Sequence, residues 1–380
     1  MQQSHLFPLT PALSHRERGS SVRIFSFCRP GKAEPPPGMK RLPMPHLSTR
    51  VLQGLLTLLL TLLGLLLVTF ALSAFSPVDR VLQIVGDHAS QSTYDQVRHQ
   101  LGLDRPLPVQ FWHYLQNLAH GDLGTASATG QPVLQDLLHA FPATLELATL
   151  ALIIGAVLGV IAGVLCARYA GSPLDLAIRT LTLLGNSVPI FWLGLLMLAL
   201  FYAKLQWSAG PGRLDDIWQF TVEPRTGFAL VDTWLSGDRE AFRNALSHLV
   251  LPVLLLAYYS LASITRLTRS ACLSEMNKEY ILLARAKGAG EMTILLRHVL
   301  PNIRGTLLTV IALAYTSMLE GAVLTETVFS WPGIGRYLTT ALFAGDTTAV
   351  MGGTLLIGVC FVLINNLTDL LVRATDPRVR

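Results

Sequence analysis

Charge is scarce in this sequence. Asp, Glu, Lys and Arg together make up 14% of its 380 residues, where a soluble domain carries about 25%. So low a fraction, with a mean hydropathy of +0.47, excludes an ordinary water-soluble globule and points to a chain whose surface faces lipid. Cysteine is scarcer still. Cys28, Cys166, Cys272 and Cys360 are scattered, which excludes a paired metal knuckle or a Cys-x-x-Cys redox motif and leaves small buried hydrophobes and one tail residue. A G-x-x-x-x-G-K-[ST] phosphate loop is missing, so the chain is not expected to bind ATP itself. His113, His120, His248 and His298 lack zinc spacing, and no Ser/His/Asp grouping marks a hydrolase. Neither an enzyme, a metal site nor a resident cofactor is therefore expected. Nucleic acid is excluded as well, because the formal net charge of +5 is not gathered into a basic domain with interleaved aromatics.

What the chain has is long apolar runs. Six approach or exceed the length that spans a bilayer, about 20 mainly apolar residues. They cover residues 51–74, 142–167, 180–203, 246–265, 306–329 and 350–372. The expected fold class is all-α, a polytopic membrane protein with six transmembrane helices. Gly155, Gly159 and Gly163 recur every four residues in the second run. They form either a small-residue ridge for close helix packing or a chance product of the glycine frequency of membrane helices. Pro189 inside the third run predicts a kink whose freed backbone group needs a neighbour. Residues 1–45, rich in Pro, Gly and charge, lack a signal-peptide pattern. They read as disordered or untranslated, with Met39 or Met44 as an alternative start.

Six spans put both ends on one side, and charge asymmetry says which. Residues 1–50, 168–179, 266–304 and 373–380 hold eight, two, seven and three Lys and Arg, twenty of the 29 in the chain. Basic residues favour the inner side. Both termini and the 266–304 loop are thus expected in the cytoplasm, with 75–141 and 204–245 facing outward. Region 75–141 carries short amphipathic helix candidates, "TYDQVRHQLGL", "PVQFWHYLQNLAH" and "TGQPVLQDLLHAF", and reads as a small outward-facing cap. Trp207, Trp218 and Trp234 either anchor in the interface or fill a thin outer layer.

The seven basic residues of the fourth loop lie within and around "EYILLARAKGAGEMTILLRHVLPNI". Ser274 is a candidate cap for a first short helix, with Tyr280, Leu283, Ala284 and Lys287 near one face. Gly288 stops it, Gly290 offers a second turn position, and a second helix runs from Glu291 to Pro301. This physics leaves three readings open: a helix lying on anionic lipid, a docking element for a protein partner, or an ordinary packed loop.

The stretch resembles the "EAA" coupling loop of binding-protein-dependent ABC import permeases, Glu-Ala-Ala, three residues, Gly, nine residues, Ile-x-Leu-Pro. Ala284, Gly288, Leu300 and Pro301 match at that spacing; Leu282, Leu283 and His298 depart from it. "ARAKG" here is the form usual in peptide permeases. "LGLDRPLPVQFWHYLQNLAHGDLG", "PATLELA", "VPIFWLG", "LTETVFSWPGIGR" and "NNLTDLLVRATDPRVR" also resemble the B-type subunit of dipeptide and oligopeptide permeases. "TGFALVDTWLSGDREAFRNALSHLVLP" most resembles the dipeptide permease B subunit.

The resemblance implies an ABC importer type I permease fold in a bacterial inner membrane. It implies the following organisation: a first transmembrane helix over 46–74, an outer cap over 75–141, and a permease domain over 142–372 that includes the 266–304 coupling loop. A cytoplasmic tail covers 373–380. The implied function is import of dipeptides or short oligopeptides, with nickel or nickel-chelate import as the same-class alternative and a non-transporting scaffold or receptor as the other. Implied partners are a C-type second permease subunit, two ABC ATPase subunits that use the ATP, and an extracytoplasmic peptide-binding protein. Glu279, Tyr280, Ala284, Arg285, Lys287, Gly288, Leu300 and Pro301 are the expected ATPase-coupling residues. Arg285 and Lys287 either pair with acidic partner residues or form a solvated basic face. Glu320 is a candidate on the substrate path, where a carboxylate inside a span would meet a peptide ammonium; pairing with another subunit is the alternative. Glu326 is expected to pack beside the "FSWPGIGR" loop, which either shapes the outer mouth or anchors aromatics in the interface.

Overall fold

A computed structural model describes residues 47–75, 79–86 and 88–375. The expected disordered or untranslated segment 1–45 and tail residues 376–380 lie outside them. The chain divides into two units, residues 1–52 and 53–380. Of the first, only the start of one helix, residues 47–52, is described.

Among the described residues every regular element is a helix, apart from one isolated bridge between Thr125 and Pro132. In chain order the helices are α1 (Leu47–Ala74), α2 (Arg80–Val85), α3 (Gln91–Gln100), α4 (Leu107–Ala119) and α5 (Val133–Arg168). After these come α6 (Pro173–Ser187), α7 (Ile190–Met197), α8 (Asp216–Thr221), α9 (Ala229–Leu235) and α10 (Arg239–Met276). The last are α11 (Glu279–Ala286), α12 (Glu291–Ile294), α13 (Leu300–Val328), α14 (Ile334–Ala344) and α15 (Thr347–Thr375). Wide π turns extend α7 through Leu198–Lys204 and join α12 to α13 through Leu295–Val299.

Among the described residues, five helices are long and apolar enough to cross a membrane. The third apolar run is not a single helix. It breaks at Val188–Pro189 into α6 and α7, bent by 102°, and only if that pair counts as one span does the total reach six. Pro189 caps α7 because it has no N–H to donate and fixes an extended residue before it. The sequence pattern therefore located the irregularity but understated it.

Several spans are longer than their apolar runs, α5 and α10 among them. α5 has 36 residues and α10 has 38, about 54 and 57 Å at 1.5 Å per residue against a hydrocarbon core of about 30 Å. α10 therefore continues past its apolar run at both ends, and α5 past the start of its own. α10 starts at Asp238, whose carboxylate accepts from the Glu240 and Ala241 amides. It runs on to Met276, so the expected cap Ser274 sits inside this helix and caps nothing.

The glycine ridge joins the two. A Cβ on Gly159 would lie 3.0 Å from the Cβ of Ile264, and one on Gly163 would lie 2.6 Å from that of Thr268; Gly155 presses on Ser260 in the same way. Both helices advance in steps of four at these contacts, so they run parallel with their four-residue ridges meeting. The ridge packs this chain on itself. Beside it, Leu147, Ala151, Leu249, Val253, Leu256 and Met318 form a core shared by α5, α10 and α13.

At one end of the bundle two buried glutamates tie the loops down. Glu146 on α5 accepts from Arg213 and from the Ala229 and Leu230 amides at 3.1 and 2.8 Å. It thus holds the first turn of α9. Glu326 on α13 accepts from Thr144 Oγ1 at 2.6 Å and from the Gly335 and Arg336 amides at 2.7 and 3.2 Å. Phe329 and Trp331 are buried, and the Trp331 indole donates to the Ala143 carbonyl at 2.9 Å. The "FSWPGIGR" aromatics are therefore core residues, not interfacial anchors. Trp207 and Trp234, at 74% and 70% exposure, remain free to act as such.

Candidate functional site

The hairpin of α11 and α12 lies beyond the far end of α10. A turn over Asn277 and Lys278 reverses the chain, and α11 begins at Glu279. Glu275 anchors this turn: it is 6% exposed, pairs with Lys278 at 2.6 Å and accepts from the Tyr280 hydroxyl at 2.8 Å. Asn302, on the first turn of α13, donates to the same hydroxyl at 3.1 Å. Tyr280 thereby links the hairpin to the base of the span.

Gly288 ends α11. Its φ of +83° lies in the left-handed region, where a side chain costs about 1–2 kcal/mol. The Gly288 amide bonds to the Arg285 carbonyl at 2.9 Å and the Ala289 amide to the Ala284 carbonyl at 3.1 Å. Those two bonds make a complete Schellman stop, with Ala284 and Ala289 giving its apolar contact. Arg285 then grips Glu291 through Nε and Nη2 at 2.7 and 3.1 Å, a bidentate clasp across the turn. Arg285 thus has an acidic partner inside this chain.

One side of the hairpin is buried. Ile281, Ile294, Leu295, Val299 and Ile303 pack with Val164 and Cys272, and Ala284, Ala289 and Leu300 close the cluster. Nearby, Arg269 makes a fork to Asp175, both bonds 2.8 Å, so that α6 is latched to α10 beside the same cluster. The other side is open and apolar. Leu282 and Leu283 are 58% and 57% exposed, with Glu279 and Lys287 beside them at the surface. Ala284 is half-buried against this cluster, whereas Tyr280, Leu283 and Lys287, on the same side of α11 by their spacing, are exposed.

Pro301 does not break the second segment. α12, the π turns and α13 form one continuous helix, Glu291–Val328. The ring of a proline clashes with the carbonyl four residues before it, and the wide turns just upstream open the spiral there. Pro301 is exposed and marks no reversal. Glu320 lies exposed on α13 and has no hydrogen-bond partner among the described residues. It is remote in sequence from the hairpin, and the two candidate sites do not converge. Glu275, Glu291 and Asn302 escaped sequence reasoning. Glu275 and Lys278 had a visible three-residue spacing, whereas nothing local announced Asn302.

Residues 139–380 match the family "Binding-protein-dependent transport system inner membrane component", and residues 47–148 match "Binding-prot-dependent transport system membrane comp, N-term". The chain belongs to this family of multi-pass inner-membrane transport components. It is 45% identical over 322 residues to a Probable D,D-dipeptide transport system permease protein of Escherichia coli (strain K12), covering 85% of this chain and 94% of that relative. It is 41% identical over 321 residues to a Di/tripeptide transport system permease protein of Pseudomonas aeruginosa (strain UCBPP-PA14), covering 84% and 95%. Identity to a Dipeptide transport system permease protein of E. coli K12 is 39% over 324 residues, covering 84% and 95%. The chain is accordingly a permease subunit of binding-protein-dependent transport.

Proposed function

We propose that this chain is the membrane-spanning permease subunit of an ABC importer for dipeptides or short oligopeptides. The observation that carries the cargo is the set of relatives above, each matched over more than four-fifths of both chains and each named for peptide transport. Two ATPase subunits would use ATP outside this chain, a second C-type permease would complete the path, and an extracytoplasmic peptide-binding protein would deliver substrate. Both termini and the 266–304 loop lie in the cytoplasm in this reading. Region 75–141 is an outer cap and 142–372 the permease domain.

The hairpin supports the coupling role by its build. A Schellman stop, an Arg–carboxylate clasp and a buried apolar side make it stiff, and a stiff element transmits displacement to the helix that follows. Leu282 and Leu283 supply an apolar outer face to press into an ATPase groove, flanked by Glu279, Arg285 and Lys287. Gly288 completes the turn, and Leu300 and Pro301 carry motion into α13, whose rocking switches access. Glu320 is exposed on that same helix, where it can line a path shared with the second permease. The test is uptake of labelled dipeptide into vesicles holding the complete transporter. Uptake is expected with ATP and both ATPases, and to vanish without either; ATP-independent uptake would refute the mechanism.

A further inference from the structure

A cavity of about 720 Å³ lies away from the hairpin, between region 99–130 and the start of α15. We infer that it is an outer binding site for a short peptide held by its charged ends; the choice of ligand rests on the peptide-import reading above. Small-molecule sites of about 300–1,000 Å³ are usual, so the volume is suited to such a ligand.

Arg105 makes part of the cavity lining cationic. Gln110 donates to the Arg105 and Leu103 carbonyls at 2.8 and 3.4 Å, which holds the turn carrying Arg105. The Arg105 guanidinium donates to His113 Nε2 at 2.7 Å. His113 must accept in that bond, so its proton sits on Nδ1 and can be donated. Among the described residues Arg105 has no carboxylate partner. A peptide carboxylate is the bidentate acceptor that a guanidinium matches.

The opposite charge is supplied by Asp122, which is exposed and gives one oxygen to the Gly124 amide. Asp346 also lines the cavity but is already used. It accepts from the Ser127 amide through one oxygen and from the Ala349 amide through the other, and so serves as a structural cap for α15. Thr347 and Tyr114 also line the cavity. Thr347 is 8% exposed, and neither its hydroxyl nor that of Tyr114 has a hydrogen-bond partner among the described residues. Burial pushes the Tyr114 phenol up to about 12, so it stays a donor. Buried hydroxyls without partners are costly, and a rotation of either side chain toward the cavity would let a peptide amide or carbonyl partner it. Phe70, Leu123 and Met351 leave apolar wall for a side chain.

The test uses the full chain in lipid nanodiscs, without other subunits, and labelled L-alanyl-L-alanine in equilibrium dialysis. Saturable binding is expected, unchallenged by N-acetyl-alanyl-alanine amide, which lacks both charges. Arg105→Gln, at an exposed position, should weaken it about tenfold or more. Thr347→Val, which keeps the side-chain shape, should weaken it several-fold while leaving the melting temperature in place. Absence of saturable binding, or equal binding by both variants, overturns the site. Dipeptide uptake by the complete transporter separates the two failures. Uptake without binding to the chain removes this site alone, whereas loss of both removes the peptide-import reading too.

Discussion

Replacing Glu326 by alanine should loosen the whole upper end of the bundle. The carboxylate is fully buried and serves three donors, the Thr144 hydroxyl at 2.6 Å and the Gly335 and Arg336 amides at 2.7 and 3.2 Å. Thr144 in turn accepts from the Ile334 amide at 2.8 Å. The Gly335 amide and the Thr144 hydroxyl lie where water does not reach, and each orphaned buried donor costs about 1–3 kcal/mol. The Arg336 amide, near the surface, can turn to solvent. Glu326→Ala is therefore expected to cost about 2–6 kcal/mol, before the cavity left by the side chain is added. Glu326→Gln keeps the volume and one acceptor oxygen but turns an N–H toward another donor, so about half that loss is expected. The assay is thermal melting of the purified chain, followed by the buried Trp331, together with amide exchange across residues 333–337. The alanine variant should melt several degrees lower and exchange faster at Gly335. If it melts with the parent and Gly335 stays protected, the carboxylate is not what holds the loop.

The other expectations are smaller in scope. Gly288→Val should cost about 1–2 kcal/mol in the turn because φ is +83°, whereas Gly288→Asn, which tolerates that region, should retain the parent's melting temperature; equal effects of the two would remove the conformational explanation. A chain with both Leu282→Asp and Leu283→Asp should fold normally, since both side chains are exposed, yet lose most ATP-driven uptake and co-purification with the ATPases; full coupling would show that this face is not the contact. Gly159→Leu should overpack α5 against Ile264 by about 1–3 kcal/mol and lower the yield of folded chain; a parental melting curve would refute that packing. Arg269→Gln should cost about 3–5 kcal/mol by leaving the buried Asp175 carboxylate without its fork, and Asp175→Asn in the same chain should recover part of it; no recovery would mean the two act separately.

Much of this was legible in the residues themselves. Hydropathy over 20-residue windows placed five of the six expected spans and found the third only as a bent pair, the spacing of Ala284, Gly288, Leu300 and Pro301 singled out the hairpin, and glycine at 288 marked its turn. Other elements were misread for definite reasons. Ser274 looked like a cap because polar residues of α10 project past the hydrocarbon, and an apolar window ends before the helix does. Pro301 looked like a terminator because its effect is cancelled by π turns, whose wide spiral has no composition of its own. Trp331 looked like an interfacial anchor because nothing local shows that Ala143 and Arg213 will enclose it.

Helix, turn and lipid-facing character depend on residues within a few turns of one another, so the sequence alone determined the class of protein, its apolar spans and the existence of the hairpin. Which face of each helix is covered depends on neighbours far along the chain. Only the tertiary structure decided that the glycine ridge meets α10, that Arg285 clasps Glu291, that Glu146 holds segments 67 to 84 residues away, and that Glu326 ties Thr144 of α5, 182 residues away, to the loop that follows α13. A buried charge takes whatever donors the packed helices bring to it, and no local pattern specifies those.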